Sequence, residues 1–543
     1  MADNIIHFSL GEAVAAFGLI FAVFQLKDKS WDIVLKIRDS WQRNLIWYMG
    51  VGGLVSIAIA ITIQQKFFSL PLSFLNNTFL WQFLGYLCFI FAPLSLLLFG
   101  KRKKGLFNKR RAEKFYNIIL REITKPKIDN IDVCIDILGA NLENITKALA
   151  GISSIPFQRD KDYILSDEEK YAIYANAVTT VILSEERVAR YIATGRIDFI
   201  LYLLATFKKY RITSAHTQLG LDRIIELLFR EESSYFYSQL DYRGTSLALN
   251  AFEAIFSEPY FLDNFCVFGN DYSFCKFDRL HEKYLAVYLK SLEYAIKGYW
   301  ENNCPVEMRR EICNGLDKLN DYSQSLAFSS KEKNKHKEAV SRLQTISFFL
   351  GHTYIREYKE ALKRKQASIY ETEVKKDNEF RSSINFAYAK TVCGFIESLA
   401  QVKEEYNGKI RILAMETVGE TIPLHSLTSG FEKLSETIIG LIWEKINGDF
   451  MSNVKGFFPS VLKVYLYIIG FKVNGTEVSI VGKERKKMIE FLYKDIKPKI
   501  LSGELMADKK TTFEEVLLPV VTFDKKNQKF LFKLDDGDGQ IME

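Results

Sequence analysis

Apolar positions gather into three long runs within the first hundred residues and return to helical spacing afterwards. The runs are Ile5–Leu26, Leu45–Ile63 and Leu80–Phe99, of 22, 19 and 20 residues. A hydrocarbon layer of about 30 Å takes about 20 helical residues to cross, so the pattern predicts three transmembrane helices. Beyond Gly100 apolar residues recur every three or four positions, which predicts helices. They are expected over 112–125, extending the third span, then over Asp132–Ala150 and from Ser166 to Thr194. Ser166-Asp-Glu-Glu169 carries the signs of a cap with an acidic first turn, and Gly195 marks a stop. Shorter helices follow at about 197–209, 214–231, 233–240 and 244–257, then a longer one at 277–302. Residues 306–422 contain no proline, which suits long helices.

The pattern changes near the end. Val473-Asn-Gly-Thr-Glu-Val-Ser-Ile-Val481 sets an Asn-Gly turn signal beside β-branched residues. Val520–Phe523 and Lys529–Leu534 flank the polar loop Asp524–Gln528, which reads as a hairpin. The expected fold class is therefore mainly α. It has three N-terminal transmembrane helices, a large cytoplasmic helical domain built as an irregular solenoid or bundle, and a small C-terminal α+β appendage. The expected divisions are residues 1–100 for the spans, 101–127 for a basic juxtamembrane helix and 128–330 for a solenoid-like domain. Long charged helices over 331–455 and the appendage over 456–543 complete the chain.

Charge orients the spans. The flanks and loops hold 0, 5, 1 and 7 Lys or Arg in turn along the chain. Short basic loops resist translocation, so the N-terminus is expected outside and the bulk of the chain in the cytoplasm, with the plasma (inner) membrane as the location. A cleaved signal peptide fits poorly, because the first run lacks leading positive charge and is too long. An interfacial first helix is the other alternative, given His7, Glu12 and Gln25.

The formal charge of +7 is local in origin. Residues 101–127 hold 11 Lys or Arg against Glu113 and Glu122, whereas 128–543 hold 56 against 59 Asp or Glu. Basic residues beside an anionic leaflet contribute about 1 kcal/mol each. The residues expected to touch lipid are Lys101, Arg102, Lys103, Lys104, Lys109, Arg110 and Arg111, with Trp31 and Trp41 at headgroup level on a short surface helix. Nucleic acid is not an expected partner, although Tyr354, Tyr358 and Tyr370 lie interleaved with basic residues; a solvated helix pair is the reading preferred there. Glu12 is the candidate intramembrane polar site, since a carboxylate in lipid is costly. Gly11, Ala15, Gly18, Gly50, Gly52 and Gly53 would allow close helix packing, within one chain or between copies.

Chemistry is sparse. Cys266, Cys275, Cys304 and Cys313 form two C-x8-C pairs, a spacing too wide for paired zinc ligands. No phosphate loop, dinucleotide fingerprint, serine elbow or zinc-protease motif occurs. Adjacent carboxylates such as Glu185-Glu186 diverge by about 100° on a helix and form no acid–base pair. No catalytic residue and no cofactor is expected. The layout points to a non-enzymatic membrane-anchored sensor, effector or scaffold whose helical domain binds a protein partner or signal and alters the membrane unit, with homo-oligomers possible. Bacterial phage-defence effectors share this layout as architecture only. The alternatives are a channel or transporter subunit using Glu12, and a membrane-tethered enzyme with an unrecognised site.

Overall fold

The computed structural model describes residues 29–66, 73–125, 127–151, 166–212, 218–240, 249–265, 282–302, 306–330, 335–363, 383–402, 429–451 and 490–502, together with strand residues between 506 and 541 and a few single positions. The described chain is mainly helical and divides into two compact units, Met1–Tyr235 and Phe236–Glu543.

In the first unit, α1 (Lys29–Ile37) leads into two helices long and apolar enough to cross a membrane, α2 (Ser40–Gln64) and α3 (Thr78–Lys101). They correspond to the second and third apolar runs. The first run, with Glu12, lies outside the described residues except at Gly18. The pair is antiparallel. Gly53 stands where an added methyl would meet the Phe89 ring at 3.1 Å, and a methyl at Gly85 would meet Ile57 at 2.8 Å. Of the glycines expected to pack, Gly53 does so, while Gly50 faces open space and Gly85 joins as an unforeseen partner. The outer faces remain bare: Trp47, Tyr48, Val51, Phe79, Phe83 and Leu98 are all more than half exposed. An apolar belt of that extent in water would cost about 25 cal/mol per Å², and it marks a membrane-associating surface.

The third run does not continue into the next helix. Residues 102–111 form a loop in which Gly105 takes a left-handed φ of +75° and Leu106 and Phe107 turn inward to full burial. A new helix, α4 (Ala112–Ile123), follows, and then α5 (Ile128–Leu149).

The segment expected as one helix from Ser166 to Thr194 is broken in two. Ser166 and Glu169 form a reciprocal capping box for α6 (Asp167–Ala177), as the spacing predicts. A π-helical turn, Val178–Ile182, then ends the run, and Glu185 caps α7 (Glu186–Gly195) by accepting from Val188 N at 2.9 Å. The glutamate side chain thus starts a new helix where helical spacing alone reads straight through. Gly195 is the last residue of α7 and makes no left-handed stop. Next come α8 (Ile197–Tyr210) and α9 (Gln218–Arg230), the latter pressed so close that a methyl on Gly220 would collide with the Thr179 carbonyl oxygen.

The second unit is also largely helical. A short α10 (Tyr235–Leu240) begins at the division, and α11 (Leu249–Phe256) and α12 (Pro259–Phe265) follow. Its long members are α13 (Glu282–Glu301), α14 (Val306–Ser329), α15 (His336–Phe348), α16 (Ile355–Lys363), α17 (Ile384–Ala400) and α18 (Ser429–Met451). A π-helical segment, Phe349–Tyr354, joins α15 to α16, so Gly351-His352 lies within continuous helix. Tyr354 and Tyr358 are fully buried; Tyr354 stacks on Tyr388 at 3.7 Å and donates to Asn385 Oδ1 at 2.6 Å. These rings are core and offer no base-stacking face, while Arg356 and Lys363 lie exposed on the other side of α16; Tyr370 lies outside the described residues.

The expected hairpin is present as β3 (Val521–Asp524) and β4 (Lys529–Lys533), after a short pair β1 (Met506–Asp508) and β2 (Thr511–Thr512). Asp524 pairs with Lys529 as part of the ladder, and its carboxylate accepts from the Lys526 and Asn527 amides to close a shorter turn than expected. β5 (Gly539–Ile541) adds to β4 on its other side. The Asn-Gly segment at 473–481 lies outside the described residues.

Candidate functional site

Among the described residues of the first unit, a connected set of polar contacts lies where α2 begins and α3 ends. It is built outward from α1. Ile33, Val34, Leu35 and Ile37 are consecutive or nearly so, and all are buried. One face of α1 is therefore packed against α3, α4 and α5, as a collar under the apolar pair, while Lys29, Asp32 and Lys36 line its solvent-facing side.

Arg38 follows directly and is itself buried. Its Nε donates to the Phe99 carbonyl at 2.7 Å and its Nη2 to the Arg102 carbonyl at 3.0 Å. The last carbonyls of any helix lack intrahelical donors, and a guanidinium fork supplies two at once. The guanidinium also stands 5.5 Å from the Phe99 ring centre. Burial lowers the Arg38 pKa, the neighbouring Arg111 and Arg102 lower it further, and Asp39 opposes them. Asp39 in turn accepts a two-point grip from Arg111, Nε at 3.2 Å and Nη2 at 3.0 Å. Lys114, on α4, donates to the Arg38 carbonyl. Replacing Arg38 by lysine keeps the charge and loses the fork. Arg38→Lys is expected to lower stability by about 1–2 kcal/mol, read as a lower urea midpoint of the detergent-solubilised chain; an unchanged midpoint would remove the clamp from this account.

Asn141 holds the far side of the loop. It projects from α5 at a position that the spacing of Leu138, Leu142 and Ile145 assigns to the apolar face, and it is almost wholly buried. Its Oδ1 accepts from the Leu106 and Phe107 amides at 2.8 and 3.1 Å, and its Nδ2 donates to the Lys103 and Ile137 carbonyls, both at 2.8 Å. Phe107, so placed, lies against Phe115 at 5.3 Å and Tyr171 at 5.0 Å.

Charge pairs fix the same loop from outside. Lys103 meets Asp136 at 3.0 Å, and Asp136 is shared with Arg196, which also reaches Asp132 at 2.7 Å and Asp198 at 3.2 Å. For Asp136, burial pushes the carboxyl pKa up, and hydrogen bonds from Lys103 and Arg196 outweigh this and hold it below the usual range. Arg196 is correspondingly raised, first by its hydrogen bond to Asp198. Lys109 pairs with Glu168 at the start of α6.

The residues expected to meet lipid thus divide. Lys103, Lys109 and Arg111 are engaged by carboxylates of the protein. Lys101, Arg102, Lys104 and Arg110 are exposed and form no ion pair with a described residue. Trp41 is largely exposed beside Phe99, at 6.4 Å, whereas Trp31 packs over Gly100, 3.2 Å from where a methyl would stand. Arg38, Asp39 and Asn141 escape the sequence reading. Asn141 alone carries a signal, as a polar residue at an inward helical position.

Among the described residues no group of three or more His, Cys, Asp or Glu could hold a metal ion. Cys134 is buried, and that burial, with nearby Glu122, pushes its thiol up to about 12, far from the thiolate range that nucleophiles need. What the arrangement can do is mechanical: it joins the end of the apolar pair to α5 through buried, directional bonds of Asn141, to α4 through Lys114, and to α8 through more exposed ion pairs of Arg196. No family model, curated protein or solved structure matches this chain.

Proposed function

We propose that this chain is a membrane-anchored, non-enzymatic sensor or effector. In this reading its spans cross the plasma membrane three times, with the N-terminus outside, and its helical bulk lies in the cytoplasm. A protein partner or signal taken up by that bulk would shift α5, and the loop at 102–111 would carry the shift to α2 and α3. The observation that supports this is the double anchorage of one short loop: Arg38 grips its first residue and Asn141 its interior. A displacement of α5 therefore cannot leave the end of α3 behind without breaking buried hydrogen bonds, each about 1–3 kcal/mol to leave unmade. The exposed basic residues at this end, against Lys66 alone between the two apolar helices, support the orientation.

Carbonate washing of membranes, with protease treatment of intact spheroplasts, tests the placement. The full chain is expected to stay in the washed pellet, and a C-terminal tag to survive external protease. Release by carbonate, or loss of the tag, would overturn the reading.

A further inference from the structure

We infer that Lys101, Arg102, Lys104 and Arg110 form a binding surface for the phosphates of anionic phospholipids, and that Lys103, Lys109 and Arg111 take no part in it. The inference rests on the membrane reading above and sharpens it. Three observations carry it. First, the four cations are exposed and unpaired among the described residues, whereas the other three already have carboxylate partners at Asp136, Glu168 and Asp39. A carboxylate already engaged with a cation opposes the approach of a phosphate and offsets part of the cation's attraction for it. Second, the four lie where the apolar belt stops. Lys101 is the last residue of α3, three positions after the exposed Leu98, and the exposed Trp41 stands at the same end through its contact with Phe99. Apolar surface, an amphipathic indole and cations in that order match the layers of a bilayer from acyl chain to headgroup. Third, the backbone beneath them is fixed, because the Lys103 carbonyl and the Leu106 and Phe107 amides are held by Asn141, and the Arg102 carbonyl by Arg38. A rigid loop loses little freedom on meeting a headgroup.

A consequence separates this from generic attraction to negative charge. Sequence alone treats all seven basic residues as equivalent, while the structure predicts that removing the unpaired four abolishes lipid preference and removing the paired three does not. Because the loop is also bonded to α5, lipid contact is expected to protect the loop and the N-terminal end of α4 from exchange.

The test uses the full chain in nanodiscs of phosphatidylcholine, alone or with roughly one-third phosphatidylglycerol. Native mass spectrometry reads the lipid retained, and hydrogen–deuterium exchange reads residues 101–115. The unaltered chain is expected to retain phosphatidylglycerol preferentially, by about tenfold over phosphatidylcholine, with the preference fading as salt rises. K101Q/R102Q/K104Q/R110Q is expected to lose it. The charge-keeping K101R/R102K/K104R/R110K is expected to retain it, and K103Q/K109Q/R111Q to retain it despite lowered stability. Equal retention by the quadruple glutamine variant, or no preference in the unaltered chain, would overturn the proposal. If carbonate strips the chain from membranes, the spanning reading fails by itself. Co-sedimentation of the same variants with phosphatidylglycerol vesicles then still decides the quartet.

Discussion

Asn141→Leu is expected to destabilise the first unit by about 3–5 kcal/mol. Leucine has the same branching and number of heavy atoms and is somewhat larger, so no cavity opens and the cost falls first on the hydrogen bonds. The Leu106 and Phe107 amides would lose their shared acceptor while remaining buried, and the Lys103 and Ile137 carbonyls would lose a donor. An orphaned buried backbone donor costs about 1–3 kcal/mol, and here there are two. The loss should appear as rapid hydrogen exchange at residues 103–108, with Phe107 freed from Phe115 and Tyr171. A variant as stable and as protected as the unaltered chain would show that Asn141 is not the latch, and with it would go the coupling route proposed above.

Gly298→Ala is expected to cost the second unit about 3 kcal/mol, the upper end for overpacking. Helix α13 passes so close to Ser257 that an added methyl would collide with its Cα and lie 2.5 Å from its carbonyl oxygen. Those are backbone atoms and cannot swing aside as a side chain can. They are also tied in place, since Ser257 Oγ donates to the Tyr294 carbonyl at 3.0 Å and Asn302 Nδ2 donates to the Ser257 carbonyl at 3.1 Å. Relief requires moving α11 and α13 apart and opening the ring cluster of Phe252, Phe256 and Tyr294. Chemical denaturation with exchange at residues 249–257 would register it. Gly195→Ala is the control, because nothing lies within 4 Å of the position; its effect is expected within about 1 kcal/mol of zero. Equal behaviour of the two variants would contradict the packing described.

What the amino-acid order reveals follows the range of the forces concerned. The helices at 128–149 and 197–210, the capping box at Ser166 and the hairpin at 521–533 all depend on neighbours within a few residues, and their patterns are readable. The second and third apolar runs are readable because membrane-crossing length is itself a local property. The clamp is of another kind. Arg38 meets carbonyls 61 and 64 residues away, and Asn141 bonds amides 34 and 35 residues back. No periodicity encodes such pairings, so Arg38 counts in sequence merely as one of five basic residues in a loop. The basic cluster shows the same limit: seven cations look alike until the carboxylates that engage three of them, Asp39 before α2, Asp136 on α5 and Glu168 on α6, are known.

The separation between Arg38 and its partners also dictates an order of events during synthesis. Arg38 and Asp39 leave the ribosome long before Phe99, Arg102 and Arg111 exist, and α5 with its Asn141 emerges later still. On the membrane reading proposed above, α2 and α3 would be received by lipid while the nascent chain is still growing, before a hydrophobic hairpin left in water could aggregate. The collar is fastened last, around a pair of helices already in place.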